Sequence, residues 1–381
     1  MPNLPPIPAL TVRAIKATPV EVPLNFVLGT SQGAIRQAPL LLIDLETEEG
    51  VTGRSYLFCY LRAAAPAIVS LLGEVEAVTK GDRVASTELG AKLTRRFMLI
   101  GVQGIVRMAL AGFDVAAWDA AAIAVGVPLA RMLGAEPRPI PAYNSCGLGL
   151  MDDLGALAAE AEKLLAVGNF HALKLRLGYP TLDRDIAAVH AVRKRVGDNV
   201  HLMVDYNQAL AVDVAMQRGC ALDTENIYWL EEPIRHDDYA GAAALARDLK
   251  TPIQIGENFS LPAAMAVAVQ QGAADYVMPD SAGSPAGGRP PNWPPLTVSK
   301  CRRTCFRKLA PICWRLRRPA ISLSMSIGRT CWCRSRSRLP TVLPSCRSVQ
   351  GMAWSGTKTQ SSAIACVDRS KIPGPNINVR T

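Results

Sequence analysis

The sequence lacks any run of 18 consecutive apolar residues, about the length a membrane-crossing helix needs. Its start, Met1-Pro2-Asn3-Leu4-Pro5-Pro6, lacks the basic residues and apolar core of a secretory leader. These two absences point away from the membrane and set the cytoplasm as the expected location. Histidine is scarce. His171, His190, His201 and His236 are all there are, and they show no ligand spacing. Acidic residues all but vanish after residue 281: the last 101 residues hold Asp368 alone against 18 Lys and Arg. Residues 1–280 carry 24 bases and 31 acids, a net −7, so the overall +10 comes entirely from a tail of +17. That imbalance argues against a nucleic-acid footprint spread along the chain. Cysteine divides at the same place, with Cys59, Cys146 and Cys220 before it and seven after.

What is present falls into three parts. Residues 11–60 alternate as strands do, and residues 40–45, Glu48-Glu49-Gly50 and residues 51–57 spell a hairpin around an acidic turn. Residues 62–134 read as helices. Residues 105–119 have helical apolar spacing, place Trp118 in the core, and precede a stop at Gly126-Val127-Pro128. Residues 1–138 are therefore expected to form a strands-then-helices α+β capping domain. In 139–280, strand candidates at 139–145, 171–176, 201–205, 226–231, 252–256 and 274–280 alternate with helices. One helix, 182–196, has Asp183 and Asp185 in its first turn. This alternation predicts a modified (β/α)8-type barrel, legible for six strands only.

Asp205, Glu231 and Glu257 each close a short apolar run, and each lies 26 residues from the next. That is about one strand, one helix and two loops, which would bring all three carboxylates to one barrel mouth. Three hard oxygen donors suit Mg2+ before any softer metal.

Residues 281–381 keep neither helix nor strand period. A nucleic-acid-binding tail would rarely carry so much Cys and Trp. A zinc module would need matched C-x2-C pairs, which Cys301, Cys305, Cys313, Cys331 and Cys333 do not form. The third reading is a shifted reading frame. Codons for M-S-S-H-L-F-P-E-I-S-A-H, read one base late, can give the segment from Cys301 to Ile312. Codons for H-F-L-E-Y-V-D-W give the segment from Ile321 to Gly328 in the same phase.

The motifs Lys174-Leu175-Arg176-Leu177-Gly178-Tyr179-Pro180, Met203-Val204-Asp205-Tyr206-Asn207-Gln208, Trp229-Leu230-Glu231-Glu232-Pro233, Gly256-Glu257-Asn258 and Met278-Pro279-Asp280 resemble the mandelate racemase/muconate lactonizing enzyme subgroup of the enolase superfamily. The resemblance implies a Mg2+-dependent racemase or dehydratase acting on a hydroxy acid or acid sugar. It implies Asp205, Glu231 and Glu257 as metal ligands, Lys174 and Asn207 at the substrate, and Glu232 as a supporting residue. Residues 29–33 would be a substrate-selecting lid. Arg176 stands where the family has a basic lysine, and a guanidinium is a poor base at neutral pH. Asp280 matches the Asp of a His–Asp dyad whose His is absent from the chain as written. With the frame restored, one-base dehydration fits better than two-base racemisation. As written, the product is expected to be impaired. A symmetric homo-oligomer fits the family pattern. A basic nucleic-acid-binding protein and an inactive remnant are the competing readings.

Overall fold

The computed structural model describes residues 6–280 except 134, 136, 138, 140, 169, 260 and 261. The basic tail and its proposed frame change lie outside the described residues.

Three strands, β1 (Val12–Thr30), β2 (Gly33–Thr47) and β3 (Thr52–Phe58), form an antiparallel sheet in that order. The expected hairpin is β2–β3, with Leu40 opposite Phe58 and Glu46 opposite Thr52. Alternation along β2 sends Leu41, Ile43 and Leu45 into a core shared with Ile68, Leu72, Leu93 and Phe113. Those partners come from α1 (Ala64–Thr79), α2 (Ser86–Phe97) and α3 (Gly104–Val125); a short α4 (Leu129–Met132) follows. By length and composition α3 could cross a membrane, but 67% of its apolar window is buried in the fold. Its contact with β3 is close. A Cβ on Gly53 would stand 2.0 Å from the Ala116 carbonyl oxygen, so only glycine fits there.

The same contact buries a carboxylate. The Arg54 N–H donates to Asp119 Oδ2 at 2.8 Å, and burial pushes the Asp119 carboxyl from its ordinary 3.8 up to about 6. The folded chain therefore holds a proton that the unfolded chain releases. Stability falls as pH rises from about 4 to about 6, and the deficit persists above that. Asp119→Asn keeps an acceptor without the charge. It should stabilise the protein by about 1–3 kcal/mol at pH near 7 and little near pH 4. Urea melts at the two pH values test this; an equal effect at both would contradict it.

The second half alternates strictly: α5 (Leu154–Ala166), β4 (Ala172–Arg176), α6 (Leu182–Val196), β5 (His201–Asp205), α7 (Val212–Leu222), β6 (Ile227–Glu231), α8 (Tyr239–Asp248), β7 (Ile253–Ile255), α9 (Pro262–Gln271) and β8 (Tyr276–Val277). The strands pair in parallel, in chain order. The barrel is not closed among the described residues. Side-chain oxygens of Asp153, Thr181 and Asp238 cap α5, α6 and α8, fixing where three helices begin. Leu173, Leu175, Leu202, Val204, Leu230, Ile253 and Ile255 face outward into the layer packed against the helices.

The strand expected at 139–145 is reduced to one parallel bridge, Asn144 to Leu173. Pro137, Pro139 and Pro141 have no N–H to give a ladder. The strand expected at 274–280 shrinks to Tyr276–Val277, with Pro279 just beyond.

Candidate active site

Parity along the strands builds the barrel interior in two layers. Ala172, Met203 and Trp229 form an apolar plug with Tyr143 and Tyr276. Two residues further along each strand stand Lys174, Asp205 and Glu231, each at most 4% exposed. The Lys174 ammonium pairs with Asp205 Oδ2 at 3.0 Å and also with Glu231 Oε1. Arg176, one turn of the pleat above Lys174, has Nη1 3.4 Å from Asp205 Oδ2. Trp229 Nε1 donates to Glu231 Oε2 at 3.0 Å. Asn207 donates its N–H to Asp205 Oδ1 at 2.8 Å and its amide to Oδ2 at 3.2 Å. Among the described residues, its own Oδ1 is buried without a hydrogen-bond partner, as is Arg176 Nε.

Glu257 arrives differently. β7 ends at Ile255, and Gly256 at φ 139 turns the chain before Glu257. Only glycine adopts that conformation readily, and a Cβ there would stand 2.9 Å from the Met278 nitrogen. Glu257 thereby joins the field of Lys174, Glu231, Asp205 and Arg176. Glu232, buried and at φ 34, accepts from Asn258 Nδ2 at 3.0 and 2.8 Å. Asp280 follows β8 at the same mouth and enters the field felt by the Tyr60 phenol.

The electrostatics follow from crowding charge out of water. Burial opposes charge on Lys174, but Asp205 and Glu231 outweigh it and hold the ammonium above its usual range. Burial likewise opposes charge on Asp205, but Lys174 and Arg176 hold it below its usual range. Burial wins at Glu231 and pushes Glu257 up to about 7. Glu232 is raised by burial and then by Glu257. If Asp205, Glu231, Glu232 and Glu257 are all ionised, four negative charges face two positive ones, Lys174 and Arg176. The excess of two and the all-oxygen donor set fit a hard divalent cation. As placed, the carboxylates do not form a ready cage. No three acidic, His or Cys side chains among the described residues stand close enough to share an ion, and Lys174 stands between Asp205 and Glu231.

The mouth is roofed by the first domain. Ser31 Oγ, at the tip of the β1–β2 hairpin, donates to the Tyr206 carbonyl at 3.0 Å. A Cβ on Gly149 would stand 2.6 Å from the Gly29 Cα. Three further residues carry no motif that would have disclosed them. Tyr60, at φ 59, feels Glu257, Asp280, Glu232 and Lys174. Tyr143 has Lys174 Nζ 6.0 Å from its ring centre. Gln254 is buried, and both its side-chain polar atoms lack a hydrogen-bond partner among the described residues. Alternation between Ile253 and Ile255 could have pointed to Gln254 alone.

Residues 11–134 match the mandelate racemase/muconate lactonizing enzyme N-terminal domain, and residues 156–287 match the enolase C-terminal domain-like family. An enolase from the alpha proteobacterium bal199, solved with bound Mg, is 41% identical, with a TM-score of 0.70 over 73% of this chain and 78% of that one. A Bradyrhizobium enolase complexed with magnesium and mandelic acid is 34% identical, with a TM-score of 0.68 over 74% and 77%. The L-talarate/galactarate dehydratase of Salmonella typhimurium is 29% identical over 75% of this chain and 70% of its own. The chain belongs to the mandelate racemase/muconate lactonizing enzyme family of the enolase superfamily.

Proposed function

We propose that this chain is built for Mg2+-dependent removal of the proton α to a carboxylate, and that its substrate is a hydroxy acid or acid sugar that undergoes dehydration. The observation that carries this reading is the charged layer: acidic side chains at the ends of neighbouring parallel strands, with Lys174 and Arg176 buried among them. Asp205, Glu231 and Glu257 would hold the ion. When bound, Mg2+ supplies positive charge against the substrate carboxylate and makes its α-proton acidic enough to remove. Lys174 adds charge where the anion develops. Arg176 clamps an oxygen anion rather than acting as base, since a guanidinium keeps its proton. Asn207 Oδ1, unpartnered among the described residues, is available to accept a hydrogen bond from a substrate hydroxyl. Dehydration needs one group to take the proton and return it to the leaving hydroxyl, and Asp280 would orient such a group. The relatives that bind mandelic acid or dehydrate talarate and galactarate support the substrate class.

No histidine follows His236 in the sequence, so the base that Asp280 would orient is missing as written. The family match ends at residue 287, beside the change in composition. Both facts support a shifted frame and an impaired product. The test is proton exchange in D2O, followed by NMR across a panel of acid sugars and 2-hydroxy acids. It is run on the chain as written and on a version with the later frame restored. The expected result is Mg2+ binding by calorimetry for both and exchange only for the restored version, with Asp205→Asn losing both properties. Failure of the restored version to bind Mg2+ or exchange any substrate would remove the proposal.

A further inference from the structure

Asp205 and Glu231 divide their oxygens in the same way. Asp205 Oδ1 accepts the Asn207 backbone N–H at 2.8 Å. Its Oδ2 faces the Lys174 ammonium at 3.0 Å and also accepts the Asn207 amide at 3.2 Å. Glu231 Oε2 accepts the Trp229 indole N–H at 3.0 Å, and its Oε1 faces the same ammonium. Each carboxylate thus anchors one oxygen on the protein and turns the other toward a single cation.

The anchor on Glu231 is a side chain, and it is held firmly. Trp229 precedes Glu231 by two residues on the inner face of β6, so the indole lies one layer below the carboxylate. Tyr143 meets its ring edge-on, with centroids 5.5 Å apart, and Tyr228 and Tyr276 lie 5.2 and 5.7 Å away. An indole so confined does not swing to follow the carboxylate; the carboxylate must come to it. Packing accounts for an aromatic ring at this position, but it does not account for a ring N–H aimed at a buried acid. A charge-assisted hydrogen bond of this kind competes with a metal for the oxygen it holds, so Glu231 is left with one oxygen, Oε1, to offer an ion. Mg2+ suits that arrangement, because it demands near-octahedral geometry and keeps several waters. Ca2+ takes six to eight oxygens and readily uses both of a carboxylate.

We propose that Trp229 is a positioning residue that holds Glu231 to single-oxygen coordination and so sets the preference of the mouth for Mg2+ over Ca2+. This rests on the Mg2+ reading of the mouth given above. The test is calorimetric titration of the full chain with Mg2+ and with Ca2+ separately. The wild type should bind Mg2+ at least about tenfold more tightly than Ca2+. Trp229→Phe keeps an aromatic ring and removes the N–H. It should weaken Mg2+ binding about 10–100-fold and change Ca2+ binding less than about threefold, so that the ratio of the two affinities collapses. Tyr276→Leu disturbs the packing of the indole but spares its N–H, and it should leave that ratio unchanged. Equal losses of both ions in Trp229→Phe, or the same collapse in Tyr276→Leu, would assign Trp229 to packing alone and leave the Mg2+ reading standing. A wild type that binds Ca2+ as tightly as Mg2+ would overturn the assignment without recourse to any variant. A wild type that binds neither ion would remove the Mg2+ reading together with it.

Discussion

Asp185→Ala is expected to cost about 3–5 kcal/mol of unfolding free energy, because it strands a buried guanidinium. Asp185 is fully buried at the start of α6. One carboxylate oxygen accepts the N–H groups of Gly178 and Tyr179, both at 3.0 Å. The other accepts the Tyr206 hydroxyl at 2.9 Å and Arg218 Nη1 at 2.5 Å. Arg218 also donates to the Tyr179 carbonyl at 2.9 Å. One side chain thus ties the loop after β4, the residue following β5 and helix α7 together beside the charged mouth. Adding Arg218→Met to Asp185→Ala removes the stranded charge, so the double variant should be more stable than the sum of the singles predicts. Urea melts of the three variants decide it; additive losses would show that the pair acts as two separate groups. Tyr206 follows Asp205 directly, and its carbonyl receives Ser31 from the roofing hairpin. The same variant should therefore loosen the roof as well as the rim of the mouth.

The contrast between what could and could not be foreseen follows from how local each cause is. β5 occupies 201–205 and β6 227–231, close to expectation, because each is a short apolar run with one inward polar residue at its end. The segment near Asn144 misled for a physical reason: apolar content suggested a strand, while prolines on alternate residues removed the donors that a ladder requires. Glu257 was legible as an acid after an apolar run. That it reaches the mouth from beyond its strand, through a glycine turn, was not. Tyr60 was hidden because its relation to Glu257 and Asp280 is made by two domains meeting, and no spacing within one segment encodes that. The position of Lys174 between two carboxylates was hidden as well. The sequence displays three acids and two bases but not which charges neutralise each other in the folded interior.

That arrangement gives Lys174→Ala the second large effect. Without its ammonium, Asp205 and Glu231 remain buried side by side, and Arg176 at 3.4 Å is the nearest compensation. The metal-free variant should lose about 3–5 kcal/mol at pH near 7.5. Burial would then lift both carboxyls above their unfolded values, as it already lifts Glu231 and Glu257. A carboxyl raised on folding favours the native state at low pH, and that advantage is lost as pH climbs past the unfolded value toward the folded one. The deficit should therefore be small near pH 4.5 and full near pH 7.5. Saturating Mg2+ should recover much of it, because a divalent ion that binds only the folded mouth stabilises by mass action and takes over the neutralising task. Removing a competing cation should also tighten Mg2+ binding to the variant relative to the wild type. Paired melts at the two pH values, with and without Mg2+, read all of this. A deficit equal at both and untouched by Mg2+ would mean that Lys174 contributes through the packing of its alkyl stem rather than through its charge.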